Sequence, residues 1–144
     1  MHNAFQILFS SGRIARAALH EQQACIRDIH SRLAPYLSTP DGTPGAYAVQ
    51  PAPLPDANLA WRRNIFSTLF QSVYHLMDIP APRRLLYGKL IHLFRTWVTS
   101  ADNLLDGEDK EVVPISMPGS ARVMRQVVAV MAADRVLAEI LNDA

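Results

Sequence analysis

The chain has 144 residues, enough for one domain, and 49% of them are hydrophobic, so a packed core is within reach. Charged residues make up only 19% and the net charge is +1, with no run of Lys or Arg and no basic–aromatic interleaving. That excludes a base-stacking nucleic-acid platform and implies that part of the surface is covered. A single cysteine, Cys25, excludes an internal disulfide framework and fits a reducing, cytoplasmic setting. His2, His20, His30, His75 and His92 show no zinc-ligand spacing. The start MHNAFQILFSSGR lacks a basic n-region and a full apolar h-region, so no signal peptide is expected. No apolar run approaches the ~20 residues that span a bilayer.

Residues 4–37 are predicted as helix, because Ile7, Leu8, Ile14, Ala17, Ala18, Cys25, Ile29 and Leu33 recur at helical spacing. Gly12 is a candidate break, and Pro35 and Pro40 close the segment. Residues 38–57 hold five prolines and two glycines, which disfavour both helix and central strand; a linker or covering loop is expected. A second helix is predicted over 58–78, with Asp56 or Asn58 as cap. Leu59, Trp61, Ile65, Phe66, Leu69, Phe70, Val73, Leu76 and Met77 form its apolar face. Core packing is the ordinary role of that face; a prenyl-sized pocket lined by Trp61, Phe66 and Phe70 is the functional one.

A break at Asp78–Pro82 precedes a third helix over 82–106, about 35–40 Å long at ~1.5 Å per residue. Its few polar positions, Gly88, His92, Arg95, Thr99, Asp102 and Asp106, step by three or four residues into one narrow stripe. Such a stripe faces either water or an internal cavity. It ends in an acidic cluster, with Glu108, Asp109 and Glu111 following the two aspartates. Carboxylates at a helix C-terminus oppose the macrodipole, each at a cost of roughly 0.3–1 kcal/mol. A hard divalent cation with a phosphate ligand would offset that cost; a solvated acidic loop is the plainer explanation. A fourth helix is predicted over 119–143, started by Ser116 or Ser120. It has no Gly or Pro stop, so more protein is expected beyond it. No strand and no internal repeat are expected.

From about Phe66 onward the chain resembles the isoprenoid synthase superfamily, in particular the trans-prenyltransferases and the phytoene and squalene synthases. TSADNLLDGED is similar to their first aspartate-rich motif, DDxxD. PRRLLYGKLIHLFR, with Arg84 and Tyr87, resembles the helix leading into that motif, and ARVMRQVVAVMAADRVLAEIL, with Ala133 and Asp134, the helix after it. The resemblance implies an all-α antiparallel bundle of long helices, in which 58–144 is the N-terminal half of the fold and 1–37 an added helical segment. It implies Mg²⁺-dependent ionisation of an allylic prenyl diphosphate, with Asp102 and Asp106 as metal ligands and Arg95 on a diphosphate oxygen. No catalytic residue beyond the ligands is implied. Asn103 replaces the second aspartate of DDxxD and brings an oxygen without a charge; the paired arginines after the motif and the second aspartate-rich motif are absent. These departures suit a rival reading, a catalytically inactive helical interaction module. Homodimers, usual in part of the superfamily, are a further implication.

Overall fold

A computed structural model describes residues 12–40, 45, 48–117 and 121–144. The start of the first predicted helix, much of the Pro-rich stretch and Ser120 therefore lie outside the described residues. Among the described residues there are five α-helices: α1 (Gly12–Leu33), the single turn α2 (Asp56–Leu59), α3 (Ile65–Leu76), α4 (Ala81–Asp106) and α5 (Arg122–Asn142). The protein is an all-α bundle, with one two-residue antiparallel pair between β1 (Gln50–Pro51) and β2 (Ile115–Ser116). That pair corrects the expectation of no strand. It pins the Pro-rich segment to the loop after α4, with Ala52 N–H donating to the Pro114 carbonyl at 3.0 Å.

Local chemistry sets the helix ends. Pro35 lacks an N–H, so α1 ends at Leu33 and a 3₁₀ turn, Ala34–Leu37, follows. Pro82 sits in the first turn of α4, where its missing N–H costs nothing. Gly107 closes α4 in the left-handed region (φ 67°), its N–H donating to the Asn103 carbonyl. The helix predicted over 58–78 is divided: α2 ends at Leu59, a 3₁₀ turn covers Trp61–Arg63, and α3 begins at Ile65. Asn64 explains the division. Its buried amide donates to the carbonyls of Asn58 (2.7 Å) and Ala60 (3.0 Å), which a continuous helix would have kept for itself. Neither Asp56 nor Asn58 caps a helix; Pro55 holds the cap position of α2. Nor does Ser116 start α5: it lies in β2, and Ala121 precedes the helix.

Side-chain contacts give the helix directions. Glu21 meets Arg84 and Asp28 meets Lys89, so α1 and α4 run parallel. Asn64–Arg95 and Gln71–Arg84 set α3 antiparallel to α4. Asn103–Gln126 and Arg32–Asp143 set α5 antiparallel to α4 and α1. The apolar core lies between α1, α4 and α5, built from Ile29, Leu33, Leu93, Val136 and Ile140 and sealed by Leu37, Val49, Val113 and Ile115. Ala129, Ala132 and Ala133 let α5 approach closely.

The α1–α3–α4 side is different, and it overturns an expectation. Residues Ser67, Thr68, Gln71 and Ser72 form the buried face of α3, while Phe66 is 75% exposed and Phe70 51%. The two phenylalanines are neither core nor pocket lining. The inner face is held by polar contacts: Gln71 Nε2 donates to the Arg84 carbonyl (3.0 Å) and to Glu21 (3.3 Å). Arg84 clasps Glu21 through Nη2 (2.6 Å) and Nε (3.1 Å), and His75 Nε2 lies 3.1 Å from the same carboxylate. Burial alone would raise the Glu21 carboxyl; Arg84, His75 and Gln71 outweigh it and hold it below the usual range.

Candidate functional site

The polar stripe of α4 divides into three parts. Gly88 is buried against α1 and α3, where an added Cβ would meet Cys25 Sγ at 2.8 Å and Gln71 Nε2 at 3.2 Å. Its hydrogen side is what lets the three helices converge. One turn on, His92, Arg95 and Thr99 line a cavity of about 240 Å³. Asn64, just before the start of α3, also lines the cavity, and the 3₁₀ turn and the loop from Lys110 to Pro114 complete its wall. Ile26, Leu33, Leu54 and Val113 supply apolar surface.

The electrostatics of this cavity are lopsided. Arg95 Nη1 donates to Asn64 Oδ1 at 3.2 Å, and among the described residues neither Arg95 nor Arg63 forms an ion pair. Arg63 instead donates to Asn58 Oδ1 and to the Glu111 carbonyl (3.1 Å). Burial and the neighbouring Arg63 hold the Arg95 guanidinium below its usual value. His92 is pushed down to about 4 by burial, with Arg95 and His30 adding to the effect; it is neutral at pH 7, and its Nδ1 is buried without a partner. His30 Nε2 donates to the Ala52 carbonyl at 3.1 Å. The guanidinium groups of Arg63 and Arg95 and the ammonium of Lys110 thus converge on one hollow whose lining also holds the carboxylate of Glu111, a balance of charge that favours an anion.

The stripe ends in the open. Asp102 and Asp106 are exposed, one turn apart, and form no ion pair among the described residues. The acids after them are offset from within the chain: Lys110 contacts Glu108, and Arg125 approaches Asp109 at 3.4 Å. Lys110 also lines the cavity, and Glu108, then Asp106 and Asp102, raise its ammonium above the usual value. It therefore stands between the cationic hollow and the exposed carboxylates. Asn103 turns inward. It is 2% exposed and donates through Nδ2 to the Lys110 carbonyl (2.8 Å) and to Gln126 (3.1 Å). That amide folds the 107–110 turn back over the helix end.

Arg95 and the two aspartates lie on the same stripe, but the Arg95 guanidinium sits with Asn64 and Arg63 rather than against a carboxylate. Sequence reasoning missed Asn64, Arg63 and His30 as cavity residues. All three come from elements distant in the chain; the polar run Arg62-Arg63-Asn64 inside an apolar pattern marked the last two in chain order, and no local signal marked His30. Among the described residues no group of three or more His, Cys, Asp or Glu side chains is placed to hold a metal, and no helix is long and apolar enough to cross a membrane. No family model, no curated protein and no solved structure matches the chain.

Proposed function

We propose that the chain handles a prenyl diphosphate, as an isoprenoid synthase-like protein, with the diphosphate anchored at the α4 stripe. The observation that supports this reading is the order of charge along the helix: a hollow holding the guanidinium groups of Arg95 and Arg63, then the carboxylates of Asp102 and Asp106, which form no ion pair among the described residues. A diphosphate needs cationic donors on its oxygens, and Mg²⁺ commonly binds through one or two carboxylates together with substrate phosphates. The oxygen donors Asp102 and Asp106 are exposed and form no ion pair among the described residues, so this two-carboxylate set fits a hard cation that shares the ligand's oxygens. Asn103 is buried and bonded elsewhere and does not add to it. When bound, the cation supplies charge neutralisation of the leaving diphosphate. Arg95 and Arg63 orient the anion, Lys110 bridges toward the carboxylates, and the apolar wall of Ile26, Leu33 and Val113 keeps water from the buried end.

Calorimetric titration of pyrophosphate and of geranylgeranyl diphosphate, each with and without Mg²⁺, tests the reading. Binding is expected to need Mg²⁺, to lose that dependence in Asp102→Ala and Asp106→Ala, and to weaken roughly 10- to 150-fold in Arg95→Gln, the worth of one charged hydrogen bond. No heat from either ligand refutes it.

The outward apolar face of α3 favours a second reading, a helical interaction module without turnover. A chain that binds neither diphosphate and still associates through that face supports the second reading over the first.

A further inference from the structure

His92 lines the hollow one turn before Arg95, and its Nδ1 is buried without a hydrogen-bond partner. A ring nitrogen left alone in that way is uncommon, because buried polar atoms are ordinarily paired and an orphaned one costs free energy. The backbone beneath the ring is tied down: Thr96 Oγ1 donates to the His92 carbonyl at 3.0 Å.

The charges around the ring are mostly of one sign. Arg95 lies on its own helix, His30 stands on α1, Arg63 belongs to the 3₁₀ turn, and Lys110 and Glu111 come from the loop after α4. Among the described residues no charged or titratable side chain of α3 or α5 lines the hollow. Three cations therefore stand against one carboxylate, that of Glu111, which is exposed. Burial, and after it Arg95 and His30, push the ring down to about 4, so it is neutral at pH 7.

An anion seated among these cations reverses the field that keeps the proton away. At a separation of about 5 Å and an effective dielectric constant of about 20, one negative charge raises the proton affinity of the ring roughly a hundredfold. Linkage makes the effect reciprocal, so a protonated ring binds the anion tighter by the same factor. The arginines and the lysine stay charged throughout the range in which this happens.

We propose that His92 is a specificity-determining residue of the hollow, taking up one proton from solvent as the anion arrives, so that the site holds its ligand more tightly in mild acid. The proposal rests on the reading of the hollow as an anion site and adds a proton to the binding step. The proton goes to a ring nitrogen, which becomes imidazolium, and no bond of the ligand changes.

Proton NMR of the His92 ring in the full chain tests it, with the ring titrated alone and under saturating pyrophosphate and Mg²⁺. The midpoint is expected to rise by roughly two pH units when pyrophosphate is bound. Calorimetry supplies the second readout. Pyrophosphate affinity, taken relative to His92→Gln so that the ligand's own titration cancels, is expected to be roughly tenfold higher at pH 5 than at pH 7.5. The same gain is expected to persist in His30→Gln and Glu111→Gln, the two other titrating positions of the lining. A His92 midpoint that pyrophosphate does not move overturns the proposal and leaves the anion site standing. An acid gain that survives His92→Gln and disappears in His30→Gln or Glu111→Gln also overturns it. Absence of pyrophosphate binding at both pH values overturns the anion site and this proposal together.

Discussion

Replacing Gly88 by alanine isolates the close approach that lets α1, α3 and α4 converge. Alanine is favoured over glycine inside a helix by about 0.8–1.0 kcal/mol, so on helix propensity alone the change stabilises. The structure opposes it. The new methyl would lie 2.8 Å from Cys25 Sγ and 3.2 Å from Gln71 Nε2. Cys25 is 1% exposed, and its thiol donates to the Leu85 carbonyl at 3.5 Å, so the sulfur has nowhere ready to go. Overpacking of this kind costs typically 1–3 kcal/mol. A contact of 2.8 Å to a buried sulfur takes the upper part of that range, about 2–3 kcal/mol, and, less the propensity gain, a net loss of about 1–2 kcal/mol is expected in urea unfolding followed by circular dichroism, or about 3–6 °C in Tm. The double variant Gly88→Ala/Cys25→Ala removes the opposing sulfur and recovers about 1–2 kcal/mol relative to the sum of the single changes. Gly12→Ala, where nothing lies within 4 Å, serves as the control and loses nothing. A Gly88→Ala variant as stable as the parent, or single changes that simply add, would refute the packing argument.

Three further outcomes follow from the site and its supports. Asn103→Asp replaces a donor by a charge facing the Lys110 carbonyl and Gln126; a loss of about 2–4 kcal/mol is expected in urea unfolding. His92 titrates near 4 in the folded chain and at 6.5 when exposed, so the unfolded chain binds the extra proton first. Stability is therefore complete above pH 6.5 and falls by up to about 3 kcal/mol as the pH drops toward 4, with a slope that flattens in His92→Gln. Glu21→Gln releases the clasp on Arg84 and costs about 2 kcal/mol at neutral pH; the cost shrinks in acid as the Glu21 carboxylate of the parent protonates.

The long helix α4 was legible almost to the residue, because Pro82 opens it and Gly107 closes it, and both act through their own backbones. The stripe on it was legible as well, since three- and four-residue steps read directly off the chain. What faced the stripe was not. Asn64, Arg63 and His30 reach the cavity only once α1, α3 and the 3₁₀ turn are packed, and no local pattern carries that information. The division at Asn64 escaped because apolar periodicity runs across it from Leu59 to Phe66, while the side-chain bonds that stop the helix cost the pattern one residue. The orientation of α3 was inverted for a deeper reason. Amphipathicity assigns the apolar face to the core, and here Gln71, Ser72 and the Glu21–Arg84–His75 contacts hold the polar face inside. Asn103 was noticed for the charge it lacks, whereas its structural work is the amide it donates.

The inward polar face of α3 also decides how this helix comes loose. A helix anchored by burying leucines leaves only when the whole core melts. This one is anchored chiefly by a carboxylate, a guanidinium, an imidazole and a glutamine amide, groups that water and dissolved salt can satisfy nearly as well. Its backbone amides are therefore expected to exchange with solvent through a local opening that leaves α1, α4 and α5 packed, at a free energy below that of global unfolding, as native-state hydrogen exchange would read. That opening is expected to respond to pH and ionic strength more than to temperature. Each such opening takes Asn64 and its hold on Arg95 away from the cavity, so the shape of the cavity and the seating of α3 are linked: a ligand that needs the closed cavity would hold the helix down.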